Sequence, residues 1–177
     1  MNRKIKINLY LLLSAMIAIV GYIFFHELGH MIVMLSAGAE ICDFSILTAH
    51  VSAAGGNYTA VSELWLHANG MLFPVILSLI YCSLYKKDSK SSLYCIFSYI
   101  AALLPTGSML AWVIIPFAYL QGKAPAGDDV TKFLQNWSQT FHPLIVSIFA
   151  IIGIGISVGL IIKKQIFKNF IHAMKNK

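Results

Sequence analysis

This chain of 177 residues is 58% hydrophobic and only 11% charged, with a mean hydropathy of +0.75 and a net charge of +6. Soluble globular domains carry about a quarter charged residues, so the composition excludes an ordinary soluble enzyme and a disordered chain. The three cysteines (Cys42, Cys82 and Cys95) are an odd number without CxxC spacing, which indicates neither a disulfide framework nor a cysteine zinc site.

Four apolar runs predict an all-α integral membrane protein. Each run reaches the length of about 20 residues that crosses a hydrocarbon core. We expect a single polytopic domain over residues 1–177, with helices at about residues 8–37, 64–85, 93–120 and 143–162. The first run is too long for a signal peptide and lacks a small-x-small cleavage site, so it is interpreted as a retained helix.

The stretch after the first helix shows a weak alternation of apolar and polar residues, from Ile41 to Val51. A glycine-containing segment, 53–57, interrupts it. This pattern predicts either a short hairpin or a re-entrant loop.

The basic residues indicate orientation. Eleven of the 13 fall in three of the five segments outside the predicted spans: before the first helix, in the turn 86–90, and after the last helix. By the positive-inside rule, both termini and that turn face the cytoplasm, while 38–62 and 121–142 face outward. The expected partner of the charges is the lipid bilayer with its anionic headgroups, not nucleic acid. The expected location is the cell membrane, in a bacterium.

Three ionisable residues lie inside the first apolar run: His26, Glu27 and His30. Each costs on the order of 2.5–3.5 kcal/mol in a membrane helix, so a cluster of them indicates function. The two histidines are one helical turn apart and can bind one metal ion, while Glu27 can reach a water bound to that ion. The pattern predicts a catalytic zinc ion with Glu27 as general base for peptide-bond hydrolysis. The alternative is a set of structural polar residues, since a single helical histidine usually has that role.

A catalytic zinc normally has a third protein ligand. The candidates on the same predicted side of the membrane are Asp43, His50, Glu63, His67, Asp128, Asp129 and His142. Asp128 and Asp129 are the most prominent because they follow a chain breaker and precede a predicted helix start. Carboxylates are also natural helix caps, so one of the two could cap the helix while the other binds the metal.

The segment Phe25-His26-Glu27-Leu28-Gly29-His30 resembles the site-2 type intramembrane zinc metalloproteases, peptidase family M50, in its small M50B-like branch. The similarity extends to Gly55-Gly56, to Asn69-Gly70-Met71-Leu72-Phe73-Pro74 and to Gly127-Asp128-Asp129-Val130. It covers most of the chain, although only the first segment is specific.

The resemblance implies that His26, His30 and a distal aspartate hold zinc and that Glu27 is the catalytic base. The distal aspartate is Asp129, or else Asp128; Asp129 is favoured because Asp-x-x-x-Phe resembles the M50B-like branch. Asn69 would bind substrate as a clamp or oxyanion donor, although an asparagine near a helix start is more often a cap.

The chain departs from the family pattern in three respects. The usual distal Asp-Gly is Asp-Asp-Val, and the usual Gly-Pro-x-x-Asn is Gly-Met-Leu-Phe-Pro. The charge pattern also places the motif near the outer face, whereas better-known members have it nearer the cytosol.

Glu63 and His67 are four residues apart at the start of the second helix. They are interpreted as interfacial residues beside Trp65, in preference to hydrogen-bond partners of the zinc histidines.

The leading expectation is a zinc-dependent intramembrane endopeptidase that cleaves membrane-embedded or membrane-adjacent peptides. Ile41–Val51 could then present substrate as an added strand. The alternatives are a non-proteolytic membrane scaffold of the same family type, such as an immunity-type factor, and a metal-handling membrane protein.

Overall fold

A computed structural model describes residues 2–175 and contains, in that range, six helices and one two-stranded sheet. In chain order the elements are α1 (Arg3–Ser36), β1 (Ala39–Ser45), β2 (His50–Gly55), α2 (Ala60–Leu84), α3 (Ser92–Leu120), α4 (Asp129–Trp137), α5 (Leu144–Lys163) and α6 (Ile166–Lys175). Four of them, α1, α2, α3 and α5, are long and apolar enough to cross a membrane. The predicted number of helices long and apolar enough to span is confirmed, although α1 begins five residues and α2 four residues earlier than expected.

The exterior of the spanning helices is apolar. Leu12 is 58% exposed, Ile17 is 60% exposed and Phe149 is 64% exposed. Side chains of this kind on so much of the surface would be costly in water, whereas lipid tails solvate them. The surface therefore agrees with the hydropathy in indicating a multi-pass membrane protein.

An antiparallel hairpin follows α1, with Ala39 opposite Gly55 and Ser45 opposite His50. The register shifts between Ile41 and Asp43, which leaves one extra residue on β1, as in a β-bulge. Both strands contact α1, so the hairpin lies beside the end of that helix.

The core at the hairpin end joins α2, α3, α4 and α5. It contains Ala68, Met109, Trp112, Leu134 and Val146. The short α4 is amphipathic, and its buried side packs against this core because Val130 and Leu134 lie one turn apart. This packing fixes the position of the first turn of α4, which carries Asp129.

The opposite end of the bundle carries the basic segments. Ile7 of α1 packs there with Ile96 of α3 and Ala173 of α6, while Cys82 of α2 packs with Ile161 of α5. The basic residues at the start of α1, in the α2–α3 turn and from the end of α5 onward therefore gather at one end, as the charge pattern predicts. Lys177 lies outside the described residues. The face of the membrane to which this end belongs stays a prediction.

The helix α6 is not part of the sequence prediction, which assigns this segment only to a basic tail. Its apolar side packs on α3, where the rings of Tyr99 and Phe170 stack with centroids 4.3 Å apart.

Candidate metal centre

Three side chains from α1 and α4 converge at the hairpin end of the bundle. Nε2 of His26 lies 3.2 Å from Nε2 of His30, and Oδ2 of Asp129 lies 3.3 Å from the first and 3.1 Å from the second. The two histidines share one face of α1 because they are one turn apart. The carboxylate comes from the first turn of α4.

The size of this triangle fits a zinc ion. Zinc binds imidazole nitrogen and carboxylate oxygen at about 2.0–2.2 Å in a tetrahedral arrangement, which separates neighbouring ligand atoms by about 3.3–3.5 Å. Of the three observed separations, 3.3 Å lies at the lower end of that spacing, and 3.1 and 3.2 Å lie 0.1–0.2 Å below it. Two nitrogens and one oxygen, leaving a fourth position for water, are also the donor set of a catalytic zinc site.

The hydrogen bond on the far side of His30 supports the same interpretation. Its Nδ1 lies 2.7 Å from the carbonyl oxygen of Leu66, which can only accept, so Nδ1 carries the proton. In the neutral ring, Nε2 then presents a lone pair towards Asp129. A lone pair and a carboxylate oxygen at 3.1 Å repel each other unless a proton or a metal ion lies between them. This backbone contact is the kind that orients metal-binding histidines.

Two glycines allow the helices to approach at the site. A Cβ atom on Gly70 of α2 would lie 2.3 Å from Nε2 of His30 and 2.9 Å from Cε1 of His26. A Cβ atom on Gly29 of α1 would lie 2.3 Å from the carbonyl oxygen of Asn69. All three distances are below van der Waals contact distance. Any side chain at Gly70 or Gly29 would therefore displace the imidazoles or separate α1 from α2.

The two adjacent aspartates have different roles in α4. Oδ1 of Asp128 accepts a 2.8 Å hydrogen bond from the backbone N–H of Val130, which makes Asp128 the N-cap. Asp129 is the carboxylate that faces the histidines. Burial acts to raise the pKa of Asp129, but the close contacts with the imidazoles of His26 and His30 outweigh it and hold that pKa well below its usual range.

A cavity of about 360 Å³ opens on the three ligand atoms. Glu27, which is only 5% exposed, lines the same cavity as the two histidines. His50 and Val51 of β2 form another part of the wall, and Lys132 of α4 adds a positive charge.

His67 has a closer relation to the site than the sequence suggests. Its Nδ1 lies 3.8 Å from Oδ1 of Asp129, on the side of the carboxylate away from the triangle, and its ring lines the cavity. The preferred interpretation of His67 as an interfacial residue therefore misses this contact. The i,i+4 spacing of Glu63 and His67 is the sequence pattern that could have predicted this contact. Of the two residues, only His67 reaches the site.

Of the remaining candidates, His50 lines the cavity, and the others make contacts outside the triangle. Glu63 accepts a 2.9 Å hydrogen bond from Asn136, and His142 accepts one from the backbone N–H of Leu144. Asp43 lies 3.9 Å from His50 on the exposed hairpin.

Asn69 is positioned between helices. Its Nδ2 donates a 2.7 Å hydrogen bond to the carbonyl oxygen of Gly29, so the amide joins α2 to α1. This contact gives Asn69 a packing role, and its substrate-binding role stays a prediction.

No family model, curated protein or solved structure matches this chain. The functional interpretation therefore depends on the sequence motif and on the geometry of His26, His30, Asp129 and Glu27.

Proposed function

We propose that the protein is a zinc-dependent intramembrane endopeptidase of the site-2 type. The observation that carries the proposal is the triangle formed by His26, His30 and Asp129, whose dimensions fit three ligands of one tetrahedral zinc ion. When bound, zinc would lower the pKa of a water molecule towards about 7 and polarise the carbonyl of the scissile peptide.

Glu27 is the proposed general base. Glu27 is buried and lines the cavity that also contains His26, His30 and Asp129, one residue after His26 on the same helix. Glu27 accepts a proton from the attacking water and passes it to the nitrogen of the leaving amine. The water oxygen bonds to the carbonyl carbon, and the carbon–nitrogen bond breaks. General acid–base catalysis of this kind contributes about 10²–10⁴-fold to the rate.

The substrate would lie along β2. Within the described residues the sheet has two strands, so β2 has one edge that is not paired with β1. Ala49, which precedes β2, and His50 and Val51 at its start line the same cavity as Glu27. A peptide added to that edge in extended conformation would therefore pass the ligand atoms. The apolar exterior of the bundle favours peptides that come from the membrane or lie beside it.

The test uses the full chain purified in detergent. Wild type, Glu27→Gln and the control Glu40→Gln are incubated with synthetic single-span membrane peptides, and products are identified by mass spectrometry. Glu40 is exposed on β1, so its substitution removes the same charge outside the cavity. The proposal expects one zinc per chain in all three proteins, and cleavage by wild type and Glu40→Gln but not by Glu27→Gln.

The other outcomes identify the alternatives. Zinc binding without cleavage of any peptide, together with a cellular phenotype that Glu27→Gln does not alter, would favour a non-proteolytic scaffold. Zinc flux into vesicles that depends on His26 and His30 would favour a metal-handling protein.

A further inference from the structure

We propose that a basic cleft at the other end of the bundle binds the phosphate headgroup of an anionic phospholipid. The cleft, of about 760 Å³, lies between the α2–α3 turn and the α5–α6 turn. The residues that define it are Tyr85, Lys86, Lys87, Asp88, Lys163 and Lys164. This site is at the opposite end of the bundle from the metal centre and does not depend on the proposed peptidase activity.

The charge of the cleft suits a phosphate anion. Four lysines and one aspartate give it a net charge of +3. Lys86, Lys87 and Lys163 are exposed, and none of them forms an ion pair within residues 2–175. These lysines line the same cleft from two separate turns, so their charges are available to an anionic ligand.

The cleft is built by defined contacts between the two turns. Nδ2 of Asn169, on α6, donates hydrogen bonds to the hydroxyl of Tyr85 at 3.0 Å and to the carbonyl oxygen of Lys87 at 2.7 Å. Nζ of Lys164 donates to the carbonyl oxygen of Ser83. Burial raises the pKa of Tyr85 to about 12, so its hydroxyl stays neutral and does not oppose an anion. The lysines are therefore carried on a structured frame.

The surroundings of the cleft favour a lipid over free phosphate. It lies where α2 and α5, two of the spanning helices, end, which is the level of lipid headgroups. Apolar side chains next to it in the chain are exposed: Leu84 by 74%, Ile162 by 66% and Phe167 by 48%. A headgroup in the cleft would allow the acyl chains to cover these side chains, whereas inorganic phosphate would leave them uncovered.

The experiment titrates the detergent-purified full chain with short-chain phosphatidylglycerol, short-chain phosphatidylcholine or inorganic phosphate and measures binding by native mass spectrometry. The test variant is Lys87→Gln/Lys163→Gln. Its control, Arg3→Gln/Lys4→Gln, removes two charges from the same end of the bundle but outside the cleft. Lysine near a membrane surface contributes about fivefold to anionic lipid binding, so the test variant should lose about 25-fold in phosphatidylglycerol affinity. The control should change less than about threefold.

Three results would overturn the proposal. Equal affinity for phosphatidylglycerol and phosphatidylcholine would remove the requirement for an anion. Equal losses in the test and control variants would show a diffuse charge effect without a defined site. Binding of inorganic phosphate as tight as that of phosphatidylglycerol would identify free phosphate as the ligand. If the glutamine variant fails to fold, Lys87→Arg/Lys163→Arg takes its place and should keep the wild-type affinity; a loss there would also contradict the proposal.

Discussion

Oδ2 of Asp129 lies 3.1 Å from Nε2 of His30, although 99 residues separate the two in the chain. The contact exists because α4 packs on α2 and α3 and directs its first turn towards α1. Residues from two distant parts of the sequence thus bring two imidazoles and one carboxylate together in a group that could hold a metal ion.

The neighbouring aspartates provide the first test of this site. We expect Asp129→Ala to weaken zinc binding by more than about 100-fold. It removes a proposed metal ligand, whereas losing a residue that only hydrogen-bonds to a ligand costs about 10–100-fold. Asp128→Ala removes the N-cap of α4 and should lower the free energy of unfolding by about 0.5–2 kcal/mol while zinc binding is kept. Competition with a chromophoric chelator measures the affinity. A larger affinity loss in Asp128→Ala would reverse the assignment.

Gly70 provides a test that touches no ligand. In Gly70→Ala the new methyl group would collide with the imidazole of His30, so we expect zinc affinity to fall at least about tenfold. Gly155→Ala is the matched control, because its Cβ would meet no atom within 4 Å. Both variants are compared by chelator competition and thermal unfolding. Unchanged zinc affinity in Gly70→Ala would show that the histidines do not need their present position.

Zinc affinity should fall as the pH is lowered from 8 to 5. The lowered pKa of Asp129 keeps its carboxylate ionised over this whole range, so protons do not displace zinc there. Imidazoles as a class do titrate in this range, and two of them must release protons before they bind zinc. The affinity should therefore fall by up to about 100-fold per pH unit at the acid end. An affinity that stays constant down to pH 5 would contradict histidine ligation.

His67 is expected to position Asp129. The 3.8 Å separation from Oδ1 is longer than a hydrogen bond but short enough for electrostatic attraction. His67→Ala should weaken zinc binding by about 10–100-fold, as for other partners of ligands. His67→Asn, which keeps a donor near the position of Nδ1, should restore most of the affinity. His142→Ala, outside the cavity, is the control.

The comparison of His67→Asn with His67→Ala distinguishes a positioning role of His67 from a packing role. If His67 only fills space, alanine and asparagine would change zinc affinity equally. Rescue by asparagine alone therefore separates positioning of the carboxylate from packing.

The four long apolar helices and the pairing of His26 with His30 could be predicted from local patterns alone. Apolar runs determine helices that cross a membrane, and the i,i+4 spacing of His26 and His30 determines a shared face. The third member of the cluster is different, because both Asp128 and Asp129 are chemically suited to capping a helix or to binding a metal ion. Only the rotation of α4 on its core decides which carboxylate reaches the histidines.

Two further features depended on contacts between elements. The role of Gly70 follows from the approach of α2 to the imidazoles, which no single-sequence pattern contains. The helix α6 had a signal in Ile166, Phe170 and Ala173, spaced at i, i+4 and i+7, but the many lysines around them favoured a tail.

The most direct test of the metal centre is X-ray absorption at the zinc edge, measured on the zinc-loaded protein together with metal content. We expect one zinc per chain with two imidazole nitrogens and two oxygens, one from Asp129 and one from water. In Asp129→Ala the zinc content should fall. Zinc bound without imidazole ligands, or no bound zinc in wild type, would contradict the assignment of His26, His30 and Asp129 as its ligands.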